Sequence, residues 1–173
     1  MVRYMMTFAA ISALGLAQLA SAQSAPTDPQ IVGIVVAAND IDINYAKLAL
    51  AKTKSKEVHD FAQQMVTDHS AVQKSVADLG ATLSVKPADS DTAETLKKQA
   101  SDTMTKLKGL KGTAFDKAHV DNEVAYHGAV IDAVSKVLIP SAKNPELKNA
   151  LVSTAPLFQG HLAHAKMIQS SLH

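Results

Sequence analysis

Along most of this chain the apolar residues recur at spacings of three and four, the repeat that lines one face of an α-helix. The first such segment runs from about Gln30 to Thr53, with Ile34, Ala38, Ile41, Tyr45 and Leu48 on one face. The second, about Lys56 to Leu79, follows Ser55 as a natural cap and carries the cleanest stripe: Val58, Phe61, Met65, His69, Val72, Val76 and Leu79. Gly80 predicts its C-terminal stop, because glycine enters the left-handed conformation without a side-chain clash. A shorter helix is predicted over about Thr92 to Lys108, where Asp91 and Glu94 are spaced as a capping box and Leu96, Ala100, Met104 and Leu107 recur. The third long helix is expected to open after Thr113, with Asp116 answering from the first turn, and to end near Ile139 before Pro140. Its stripe is Val120, Val124, His127, Ile131, Val134 and Leu138. The fourth opens on Asn144-Pro145-Glu146: a capping side chain, a proline in the first turn and an acid at the positive end of the helix dipole. Leu147, Leu151, Thr154, Phe158, His161, Ala165, Ile168 and Leu172 form its stripe, and Pro156 predicts a kink.

No strand-like alternation of useful length occurs, so the class is all-α. Short connections make the first two long helices antiparallel neighbours, and likewise the last two, whereas residues 81–112 separate the pairs. At ~1.5 Å per helical residue plus extended flanks, that segment spans a ~35 Å bundle. The predicted fold is a ferritin-like four-helix bundle with one long crossover carrying a short extra helix.

Before the helices, Arg3, the apolar run Met5 to Leu19 and the small residues Ala20-Ser21-Ala22 read as a secretory signal with cleavage near Ala22/Gln23. The expected organisation is a signal over 1–22, a flexible leader over 23–30 and one helical domain over 31–173. The apolar run falls short of the ~20 residues of a membrane span, so no span is expected after signal removal, and a periplasmic or secreted location follows. With no cysteine in 173 residues, the domain is held by packing alone, without disulfides. Loss of the signal removes Arg3, the sole arginine, and leaves 16 lysines against 16 acidic residues. A neutral, arginine-free protein with few aromatics is a poor partner for nucleic acid, where binding begins with phosphate neutralisation.

Candidate chemistry sits on the stripes themselves: His69, His127 and His161 each occupy the apolar face of a different long helix. In the crossover topology His69 and His127 lie ~18–20 Å, and His161 and Asp42 ~17 Å, from the nearest shared end of the bundle, at ~1.5 Å per residue. Three imidazoles and a carboxylate at one level would suit a single transition-metal ion, zinc first and iron or copper next. Asp68, Glu123 and Tyr126 are the candidates to orient those ligands. The same pattern is also met without an ion, by histidines bonded to neighbours such as Asp68, Tyr126 and Thr154. His119, Glu123 and His127 fall four apart and read as a half-exposed face, and His164 as solvent-facing. Met65 reads as core filler. A glutamate-rich di-iron centre is not expected, because the chain has no Glu-x-x-His motif. Hydrolytic catalysis is unsupported, without cysteine, nucleophile elbow or phosphate-cradling loop.

The run Val58-His59-Asp60-Phe61-Ala62-Gln63-Gln64-Met65-Val66-Thr67-Asp68-His69 resembles the V-x-x-F-A-x-x-M-V-x-D-H pattern of a bacterial secreted family known as domain of unknown function 4142. Phe115-Asp116 with His127, and Pro156-Leu157 with His161-Leu162, resemble its later signatures. The first helix departs: the family's E-x-E-L-G-x-L-A stands here as Asp42-Ile43-Asn44-Tyr45-Ala46-Lys47-Leu48-Ala49, with Asn44 replacing an acid. The resemblance implies a ferritin-like bundle and export, and no activity. The leading reading is therefore an exported, non-enzymatic binding or stress-associated helical module. The alternative is a metal-binding protein using the histidine layer. Self-association through Ala118, Ala125, Ala129 and Ala133 is a further expectation for the third long helix.

Overall fold

The computed structural model describes residues 25–172, so the predicted signal and its cleavage point lie outside the described residues. The order is α1 (Asp28–Lys52), α2 (Lys56–Leu83), α3 (Asp91–Gly109), α4 (Gly112–Ala133), a π-helical turn (Val134–Leu138), α5 (Ile139–Ser141) and α6 (Pro145–Ser171). There is no strand among the described residues, and no helix there is long and apolar enough to cross a membrane. The chain is all-α as expected, a bundle in which α1 packs chiefly along α2 and α4 along α6, while α3 lies mainly against α1.

Helix boundaries follow local hydrogen bonding, and several differ from the sequence reading. α1 starts two residues earlier, inside the predicted leader, because Gln30 reaches back to accept from the Thr27 backbone N–H at 3.0 Å and Pro29 suits a first turn. α2 passes through Gly80 and stops at Ser84, whose φ of 55° is left-handed. Gly80 is instead a close-approach residue: a Cβ there would stand 2.9 Å from the Val85 carbonyl oxygen. Ser90, not Asp91, caps α3 by accepting from Ala93 N–H at 3.1 Å. No side chain caps α4, so Thr113 does not serve; the chain turns in at Gly112, at φ +54°. Pro140 does not end the helical path. The widened π turn before it gives the ring room, and the path continues to Ser141. α6 opens as predicted, with Asn144 Oδ1 accepting from Leu147 N–H at 3.0 Å, and runs through Pro156.

Two apolar clusters fill the interior. One contains Ile41, Tyr45, Ala49, Val58, Phe61, Met65, Phe115, Val120, Ala165 and Ile168. The other contains Ile31, Val32, Ile34, Ala37, Val134, Leu138, Leu147 and Leu151. Each long helix crosses from one cluster to the other. Between them lie Asn39 and Asp42 on α1, His69 on α2, Glu123 and His127 on α4 and His161 on α6, all buried. A polar layer therefore interrupts an otherwise apolar core.

Candidate metal centre

Buried polar groups need partners, and this layer divides its ring nitrogens into satisfied and unsatisfied ones. His69 Nδ1 stands 2.8 Å from Asn39 Oδ1, and the Asn39 amide nitrogen itself donates to the Val35 carbonyl at 2.8 Å, which leaves Oδ1 to accept from the ring. His127 Nδ1 donates to the Glu123 backbone carbonyl at 3.1 Å. His161 Nε2 donates to Asp68 Oδ2 at 2.9 Å. All three outer partners are acceptors. A neutral imidazole carries one N–H, so the remaining nitrogens, His69 Nε2, His127 Nε2 and His161 Nδ1, are bare lone pairs. None of the three has a hydrogen bond among the described residues.

The three rings meet in one buried layer. The three histidines offer ligand atoms within 4.8 Å of one another. Their ring centroids stand 5.2 Å (His69–His161), 5.3 Å (His127–His161) and 5.7 Å (His69–His127) apart. Asp42 Oδ2 lies 2.9 Å from His69 Nε2 and 3.3 Å from His127 Nε2, yet neither Asp42 oxygen makes an aligned hydrogen bond among the described residues. Behind the layer, Phe158 stacks on the His69 ring at 5.6 Å and fixes its tilt. A groove of about 320 Å³ between α1, α2 and α6 includes both Asp68 and Phe158 in its wall, so solvent comes within one side chain of the histidines. The larger groove, about 730 Å³ between α1 and α3, touches none of them.

The electrostatics favour neutral His127 and His161 rings beside a charged Asp42 carboxylate. Burial pushes His127 down to about 4, and pushes His161 down against the pull of Asp68. For Asp42 burial opposes ionisation, but the contact with His69 and the pull of His69, His127 and His161 together outweigh it and hold the carboxyl below its usual range. Glu123 is pushed well above the usual glutamate range by burial and by the negative charge of Asp42.

The structure brings together His69, His127, His161 and Asp42, all four residues the sequence proposes as ligands. Of the three orienting candidates, Asp68 bonds His161, and Glu123 lies beside His127, with 3.5 Å between Oε2 and Nδ1. Tyr126 does not bond a ring nitrogen: its hydroxyl donates to the Ala38 carbonyl at 2.8 Å. Thr154 likewise turns to its own helix, donating to Ala150. The reading of His119 and Glu123 as a half-exposed face is corrected, since both are fully buried. The flanking helices cover more of α4 than one stripe would predict. His164 is half-buried, with its ring edge-on to Phe61 at 5.2 Å. Asn39 is a residue the sequence reading missed; the only available signal is its position three residues before Asp42, on the same face of α1. No curated protein and no solved structure matches this chain. The family model described as "Domain of unknown function (DUF4142)" matches residues 13–168, most of the length, and the protein belongs to that family.

Proposed function

We propose that this protein binds a divalent transition-metal ion inside its helical bundle, on His69 Nε2, His127 Nε2, His161 Nδ1 and Asp42. The observation that carries the reading is the division of the three rings, each with one nitrogen donating outward to an acceptor and the other left bare, on histidines that offer ligand atoms within 4.8 Å of one another. Outward hydrogen bonds of this kind orient metal-ligating histidines and raise their basicity. An ion at ~2.1 Å from three tetrahedrally placed imidazole nitrogens puts the ring centroids ~5.3 Å apart; the observed separations are 5.2, 5.3 and 5.7 Å. Ligand atoms on such an ion stand ~3.4 Å from one another, near the 2.9 and 3.3 Å between Asp42 and its two histidines. Three neutral nitrogens and one carboxylate favour zinc over harder ions. The binding role fits an exported module: the N-terminal signal pattern supports a periplasmic or secreted location, and the reading assigns no catalysis.

Elemental analysis of the protein purified from the periplasm tests this directly. Near-stoichiometric metal is expected, lost in His69→Ala and His161→Ala, with a lower melting temperature after chelation. A metal-free protein that takes up no zinc on titration and melts unchanged in chelator would overturn the reading.

A further inference from the structure

We infer that the centre has a second cation position, formed by His119 and Glu123 and joined to the first by Asp42. It rests on the reading of the histidine layer as a metal site and adds to it residues that the first ion does not use.

His119 is fully buried, with both ring nitrogens lacking a hydrogen bond among the described residues. Since a neutral imidazole always carries one N–H, the fold buries both a donor and a lone pair unused. The ring is held by stacking flat on Phe115 at 5.9 Å, so its placement is fixed by packing. One turn along α4, Glu123 is also fully buried and neither carboxyl oxygen has a hydrogen bond among the described residues. The two groups stand 3.7 Å apart, Nδ1 to Oε1, too far for a hydrogen bond. They are close to the ~3.0–3.6 Å expected between two ligands that share an ion at ~2.1 Å. Asp42, Glu123 and His127 also offer ligand atoms within 4.8 Å of one another. Asp42 can serve both positions: Oδ2 sits against His69 and His127, whereas Oδ1 is buried without a partner. Leaving such buried groups without a partner is costly. A cation between them removes that cost, and the two carboxylates offset part of the charge of two divalent ions.

The test uses the untagged chain, stripped of metal by a chelator and titrated with zinc alone, with bound ions counted by native mass spectrometry. The expected count is two per chain, falling to one in Glu123→Gln and in His119→Gln. Saturation of the wild type at one zinc overturns the second position and leaves the first intact; no zinc at all overturns both. Two ions retained in both variants place the second ion elsewhere on the chain and also overturn it. Should the variants fail to fold, the wild type loaded with two manganese ions decides the matter. Its electron paramagnetic resonance spectrum is expected to show a magnetically coupled pair, and the spectrum of two isolated ions would overturn the inference.

Discussion

Asn39 shows how much of the proposed centre depends on groups outside its proposed ligands. Its Oδ1 fixes the tautomer of His69, and its amide is in turn tied to the Val35 carbonyl, so one short side chain sets both the proton and the tilt of the ring. Replacing such a partner typically weakens metal binding ~10–100-fold. Asn39→Ala should therefore lower zinc affinity by about that factor, measured by competition with a chromophoric chelator, while helix content stays constant. Tyr126→Phe should leave the affinity unchanged, because the hydroxyl it removes serves Ala38 and the ring edge against His127 remains. Equal losses in the two variants would show that packing, and not ring orientation, sets the affinity. The same scale explains an uneven legibility. His69, His127 and His161 could be picked out because a histidine on an apolar stripe is conspicuous, whereas Asn39 lies off the stripe of α1 and its acceptor role exists only once α2 is laid against it.

At the scale of elements, the loop after α2 and the turn before α6 are both clamped to the start of α1. Ala88 N–H donates to the Pro29 carbonyl at 2.9 Å, and the Asp28 carboxylate accepts from the backbone N–H groups of Lys143 and Asn144, at 2.9 Å each. Gly33 makes the first clamp feasible, since a Cβ there would stand 2.1 Å from the Ala88 carbonyl oxygen. In an open helix Gly→Ala gains ~1 kcal/mol. Here the backbone must move, and Gly33→Ala should instead cost ~1–3 kcal/mol, as overpacking does, read from the midpoint of urea unfolding. A stabilised variant would show that this loop does not press on α1. Element existence was well marked in the chain, most clearly by Asn144-Pro145-Glu146 at the start of α6. The boundaries that moved, at Gly80, Asp91, Thr113 and Pro140, are places where a nearby residue or turn took the role: Ser84 in the left-handed region, Ser90 as the cap, Gly112 at positive φ and the π turn.

For the whole molecule, the polar layer ties stability to pH. In the metal-free protein His119 and His127 bind a proton only near pH 4, because burial opposes their charge, whereas in the unfolded chain they do so near 6.5. As pH falls from 6.5 toward 4 the unfolded chain takes up protons that the fold refuses, so stability drops; above 6.5 neither state binds them and the contribution is flat. His161, also pushed down, adds in the same direction. Glu123 acts oppositely: its raised value means that stability declines as pH rises above 4.5. Three imidazoles against one carboxyl leave the histidines dominant between 4.5 and 6.5. The melting temperature in chelator should fall by several degrees from pH 7 to pH 4.5, at roughly 2–4 °C per kcal/mol for a chain of this size. A constant or rising melting temperature over that interval would mean that the rings are already charged, or open to water, in the folded state. Self-association belongs to this scale too: of the alanines proposed for it, Ala125 is exposed while Ala118, Ala129 and Ala133 are half-buried.

The chain by itself determined its helices, their order and part of the face each long one buries, because a 3.6-residue period and end caps are local properties that need no partner. It also marked three of the buried imidazoles and Asp42, since ~1.5 Å per residue places mid-helix positions at a common depth. Only the tertiary structure decided that the three histidines meet, that Asn39 and Asp68 hold the outer nitrogens of His69 and His161, and that His119 and Glu123 are sealed inside. Those are properties of rotation about each helix axis and of contacts between residues 30 to 93 positions apart, and no local pattern encodes them.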